Sequence, residues 1–149
     1  YILCMFPKAK FILCERSFLD MAISQLQTEF EDMGKGKTSV YYNLDSIVEQ
    51  HKIYKECINY WKPFIKDKLL TIKYESLVNN GERNIKSIIQ HCELEWEDQC
   101  TEFYKQKSIV RTVGEDQVFK PLFKTSIGKW DNYKQYISLL LSYHRHNSN

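Results

Sequence analysis

Arg16 and Ser24 stand eight residues apart, and they are two residue types that grip a phosphate. A guanidinium donates two parallel hydrogen bonds to an oxyanion, and a hydroxyl about two helical turns further on can reach the same anion from its other side. Arg16 follows the apolar run Phe11-Ile12-Leu13-Cys14 and Glu15, which reads as a buried strand. The carboxyl ends of parallel strands are where α/β folds bind ligands. An arginine at a strand end equally fits a plain salt bridge. Tyr74 opens the segment Tyr74-Glu75-Ser76-Leu77 just after a second apolar run, Leu69-Leu70-Thr71-Ile72-Lys73, and brings an aromatic hydroxyl to the same rim. Ordinary rim packing is the competing reading for it. The third piece is the polar stretch Lys124-Thr125-Ser126-Ile127-Gly128-Lys129-Trp130, which runs into a helical pattern. Loop amides, a helix N-terminus, a serine and a lysine make an anion site. The alternative is a simple turn with Trp130 packed down.

Other motifs carry less chemistry. Gly34-Lys35-Gly36-Lys37-Thr38-Ser39 looks like the end of a phosphate-cradling P-loop, which needs Gly-x-x-x-x-Gly-Lys-Ser/Thr directly after a strand. Here the first glycine position is Glu31, whose charge repels phosphate, and the preceding segment reads as helix; a solvated loop is expected. The four histidines have no metal-ligand spacing: His51 and His91 sit singly on helical segments, and His144 and His146 lie in a tail expected to fray. Cys4, Cys14, Cys57, Cys92 and Cys100 are odd in number and lack a Cys-x-x-Cys pair, so buried or incidental free thiols are expected, in a reducing, cytoplasm-like compartment. No metal site is expected.

The elements that must position these residues follow from the apolar pattern. Residues 17–33 repeat Phe18, Met21, Ala22, Leu26 and Phe30 at helical steps. A longer helix carries Leu44, Ile47, Val48, His51, Tyr54, Cys57, Ile58 and Trp61, and is expected to end before Pro63. A turn at 79–81, a helix over Ile85, Ile88, Ile89 and Cys92, a short helix at 98–107, a helix-free stretch at 108–128 and a last helix at 130–143 complete the chain. Strand, two helices, strand, helix implies a parallel α/β layer. Two strands make a poor sheet alone, so further strands are expected from residues outside the chain or from another chain.

Composition agrees with one domain. The chain has 149 residues, 43% apolar and 27% charged, and 21 Lys+Arg against 19 Asp+Glu give a net charge of +2. That balance argues against nucleic acid as a partner and against a polybasic membrane anchor. No apolar run approaches the roughly 20 residues of a membrane span.

Taken together, the motifs resemble the carboxyl-terminal part of the sulfotransferase superfamily, in particular bacterial-type and protein-tyrosine sulfotransferase domains. The run begins with Phe6-Pro7-Lys8-Ala9-Lys10-Phe11-Ile12-Leu13-Cys14-Glu15-Arg16, with Asp20 and Ser24 following, and continues with Tyr74-Glu75-Ser76-Leu77-Val78. It closes with Arg111-Thr112, Asp116-Gln117-Val118, Lys120-Pro121 and Ser126-Ile127-Gly128-Lys129-Trp130. The resemblance implies an α/β fold: a partial P-loop-NTPase-like parallel sheet with flanking helices, all of residues 1–149 belonging to one sulfotransferase domain. It implies the cofactor 3′-phosphoadenosine 5′-phosphosulfate (PAPS), with Arg16 and Ser24 on the 3′-phosphate and Tyr74 beside the adenine. Thr112 falls where relatives have a Ser or Thr close to the nucleotide, and Ser126, Gly128 and Lys129 match the loop closing over the phosphate. Phe18 stands where relatives usually have proline.

The family's 5′-phosphosulfate loop and catalytic base, a His or Glu, are expected upstream of Tyr1. This leads to three expectations: no catalytic residue in the chain, no turnover by the chain alone, and self-association through uncovered sheet edge and apolar surface. The implied reaction is sulfuryl transfer to a hydroxyl or amine of unknown identity. The competing functions are a catalytically silent nucleotide-binding module and a helical protein-interaction domain.

Overall fold

The apolar runs 11–15 and 69–73 form strands β1 (Phe11–Glu15) and β2 (Leu69–Lys73), which pair in parallel with Phe11 opposite Leu69 and Glu15 opposite Lys73. The computed structural model describes residues 1–27, 43–105 and 119–147. These fall into two units, each assembled from two separate stretches: 1–15 with 62–124, and 16–61 with 125–149. The result is a helix-rich α/β arrangement carrying a small parallel sheet.

In the sheet unit, α1 (Ile2–Met5) precedes β1, and β2 leads directly into α4 (Tyr74–Asn79) and α5 (Gly81–His91). The expected turn over 79–81 narrows to Asn80 alone, because Asn84 Nδ2 donates to the carbonyls of both Asn80 (2.9 Å) and Ser76 (3.0 Å) and ties the two helices end to end. His91, at the end of α5, lies 3.1 Å from the carbonyl oxygens of Phe11 and of Lys68. Carbonyls only accept, so Nε2 carries the proton and pins the amino ends of both strands. A 3-10 helix, Asp98–Lys105, follows. The strands differ from the buried ones expected: only Ile72 is fully buried, while Ile12, Cys14, Thr71 and Lys73 are exposed. The register sets exposed Ile12 and Cys14 opposite covered Leu70 and Ile72, so the two strands are covered on opposite faces and neither is sandwiched.

The helical unit holds the main apolar core. Helix α2 (Phe18–Gln27) contributes Phe18, Leu19, Ala22 and Ile23, a one-sided stripe at helical spacing. Helix α3 (Leu44–Ile65) adds Ile47 and Val48, and Ile137 and Leu140 close the cluster from the C-terminal stretch. Against this core, the Phe18 and His51 rings lie 4.4 Å apart, and His51 Nδ1 is 3.0 Å from the Tyr143 hydroxyl. Burial chiefly, then the charges of Lys55 and His144, hold the His51 imidazole below its ordinary 6.5.

Two helix boundaries differ from the sequence reading. Helix α3 runs through Pro63 instead of stopping before it. Proline's fixed φ suits a helix, and the carbonyl it leaves without a partner, on Asn59, belongs to an exposed residue open to water. The single helix expected over 130–143 is two: a 3-10 helix, Lys129–Tyr136, and α6 (Ser138–Asn147). The break falls at Ile137 (φ −118°, ψ 36°), whose side chain is buried with Leu140. Turning that β-branched side chain into the core ends the 3-10 stretch. His144 and His146 thus lie within a helix rather than a frayed tail. None of the five cysteines is buried: Cys4, Cys14 and Cys57 are exposed, and Cys92 and Cys100 are half-buried. The Gly34–Ser39 motif, the end of the helix expected over 17–33 and much of the 108–128 stretch lie outside the described residues.

Candidate functional site

Helix α2 begins two residues after Arg16, so Asp20 and Ser24 lie one turn apart on one side of it, with Arg16 just ahead of its start. Apolar residues elsewhere on the helix bind it to the core, which fixes the direction of the polar ones. Arg16 Nη2 donates to the carbonyl of Ser126 at 3.0 Å. Asp20, 3% exposed, accepts the Gly128 amide at Oδ2 (2.8 Å) and the Trp130 amide at Oδ1 (3.2 Å). At the far end of α2, Gln27 Oε1 accepts from Lys129 Nζ at 2.5 Å, and Gln27 Nε2 donates to the Tyr133 hydroxyl at 2.6 Å. Three residues of one segment therefore hold loop 126–130.

Gly128 makes this geometry possible. It takes φ +73°, a left-handed conformation that side chains disfavour, and it is the N-cap of the 3-10 helix Lys129–Tyr136. Having no side chain, it cannot cap that helix; Asp20 does so instead, from a separate element. Trp130 packs against the core, as the plain-turn reading anticipated. The anion site expected from free loop amides is thereby altered: the Gly128 and Trp130 amides are taken by the protein's own carboxylate.

Of the candidate residues, Arg16, Ser24, Ser126, Gly128 and Lys129 belong to the helical unit, and the contacts above join Arg16 to Ser126 directly. Ser24 and Ser126 are half-buried, while Gly128 and Lys129 are exposed. Tyr74 belongs to the sheet unit, where it is half-buried and starts α4 directly after β2. Thr112 lies outside the described residues. An open cleft of about 570 Å³ lined by Asn80, Arg83, Lys86 and Gln90 contains none of the candidates. No helix is long and apolar enough to cross a membrane among the described residues.

Asp20 and Gln27 are the residues whose parts the sequence did not disclose. Asp20 had a signal: it is an acid at the edge of a stripe of Phe18, Leu19, Ala22 and Ile23, where an unpaired charge would be costly. Gln27, at the exposed end of the helix, had none.

Comparison with known proteins covers the same residues. The chain is 31% identical over 137 residues to an uncharacterised protein of Aquifex aeolicus (strain VF5), a match taking in 92% of this chain and 18% of that protein. The chain thus spans under a fifth of the length of this relative. The family profile described as sulfotransferase family matches residues 1–98, which include Arg16, Ser24 and Tyr74 and stop short of Thr112 and the 126–130 loop. With about two thirds of its length matched, and with the strand-end arginine and helix serine inside the matched part, the chain belongs to the sulfotransferase family.

Proposed function

We propose that this chain supplies the 3′-phosphate and adenine contacts of a PAPS-dependent sulfotransferase, with residues 1–149 forming part of a single catalytic domain. The observation that carries this reading is the hydrogen bond from Arg16 to the Ser126 carbonyl, which joins the strand-end arginine to the loop held in family order near the C-terminus. The residues suit a phosphate: two cations, Arg16 and Lys129, accompany the hydroxyls of Ser24 and Ser126. Asp20, the one carboxylate among the described residues of α2, has both oxygens engaged by amides. In this reading Arg16 and Ser24 hold the 3′-phosphate and Ser126, Gly128 and Lys129 close over it, while Tyr74 is assigned to the adenine and Thr112 to the nucleotide by the family resemblance alone.

When bound, PAPS would supply the sulfuryl group, transferred to a hydroxyl or amine acceptor. This chain's part would be to bind and orient the nucleotide, so that transfer proceeds from a fixed geometry. The test is calorimetric titration with 3′-phosphoadenosine 5′-phosphate (PAP). Charge-assisted phosphate contacts are strong enough that Arg16→Ala should weaken binding by roughly 10- to 100-fold. Adenosine 5′-phosphosulfate, lacking the 3′-phosphate, should bind more weakly than PAP and respond little to the substitution. Equal affinity for the two nucleotides would overturn the reading.

A further inference from the structure

We infer that Asp20 is a positioning residue for the nucleotide site, holding loop 126–130 against α2; this rests on the nucleotide reading above. Asp20 falls midway between Arg16 and Ser24, four residues from each. An acid there sits within a turn of any anion those two residues hold, and its field would oppose that anion. Two backbone amide dipoles face the carboxylate and offset part of that field. Both carboxylate oxygens turn to the loop, Oδ2 to the Gly128 amide at 2.8 Å and Oδ1 to the Trp130 amide at 3.2 Å, and the group is 3% exposed.

The same two bonds set the loop. They fix the amides on both sides of Lys129, so Lys129 leaves the backbone in one direction, toward α2, where its ammonium meets Gln27 at 2.5 Å. Arg16 holds the preceding carbonyl, on Ser126. The loop is therefore shaped before any nucleotide arrives, and the ordering entropy is not charged against binding. The amides taken by Asp20 are also those that would otherwise face an anion at the helix start, so the loop's contribution to phosphate binding falls to the side chains of Ser126 and Lys129.

Asp20→Asn changes little in shape but replaces one accepting oxygen with an NH2 that cannot receive an amide. The experiment compares PAP with adenosine 5′-phosphate, which differs by the 3′-phosphate alone, on the wild-type chain and on Asp20→Asn. The expected result is a loss of about tenfold for PAP and less than about twofold for adenosine 5′-phosphate, the scale of one charge-assisted hydrogen bond. Amide exchange at Gly128 and Trp130 should also quicken in the nucleotide-free variant. An equal loss for both nucleotides would assign Asp20 to folding alone and overturn the inference, as would unchanged PAP affinity. If Asp20→Asn does not fold, as judged by circular dichroism, Asp20→Glu, which keeps the charge one methylene further out, carries the same comparison. A wild-type chain that binds the two nucleotides equally fails the nucleotide reading itself, an outcome separate from an unchanged preference in the variant.

Discussion

His51 shows how one residue's surroundings become a measurable property. Its ring lies against Phe18 and Tyr143, and with Nδ1 unprotonated it accepts the Tyr143 hydroxyl at 3.0 Å. Burial, with Lys55 and His144 nearby, holds its folded value below the ordinary 6.5, so the unfolded chain takes up the proton first as pH falls. The folded state should therefore lose stability as pH drops below about 6.5, and the loss should level off below the folded value. Urea midpoints between about pH 5 and 8 should show this slope, and His51→Gln should flatten it. At this scale the sequence was partly legible. Arg16 and Ser24 could be placed at the start of one helix and two turns along it, because eight residues of local pattern decide that. The part of Asp20 was not legible: its partners, Gly128 and Trp130, lie 108 and 110 residues away, and no local pattern connects them.

Elements were legible where apolar periodicity alone decides them. Both strands and α5 fall where the pattern puts them, since runs such as Leu69–Lys73 and the Ile85, Ile88, Ile89 stripe admit one solution. Boundaries set by other forces were not. Pro63 failed to end α3 because the carbonyl it strands is at the surface, and the break at Ile137 follows from a core that only the folded chain assembles. The 3-10 helix at Lys129–Tyr136 depends on Gly128 at φ +73° and an added Cβ there would meet nothing within 4 Å. The cost of Gly128→Ala is thus backbone strain alone, about 1–2 kcal/mol. Chemical denaturation should show that loss, and Gly128→Asn should lose less, because asparagine tolerates the left-handed region better.

At the scale of the whole molecule, a number of large apolar side chains among the described residues are uncovered. Tyr60, Trp61 and Phe64, on the last turns of α3, are each more than half exposed, as are Ile2, Met5 and Phe6. Isolated apolar side chains on a surface are ordinary, but an aromatic run of this kind favours association. The 149-residue chain should sediment with a concentration-dependent coefficient, and Trp61→Lys with Phe64→Lys should reduce that dependence; a single invariant species would contradict it. The division of the chain into four stretches serving two units was not legible, because every element is locally consistent with a single layer. The pairing of Asp20 with Gly128 across 108 residues also has a bearing on synthesis. A ribosome adding roughly 5–20 residues per second makes the acid some 5–20 s before its partner amides exist. Throughout that interval the nascent helix carries a hydrated aspartate on the side it will later bury. The core of Phe18, Leu19, Ala22 and Ile23 thus cannot close in its final form until residues 126–140 leave the exit tunnel.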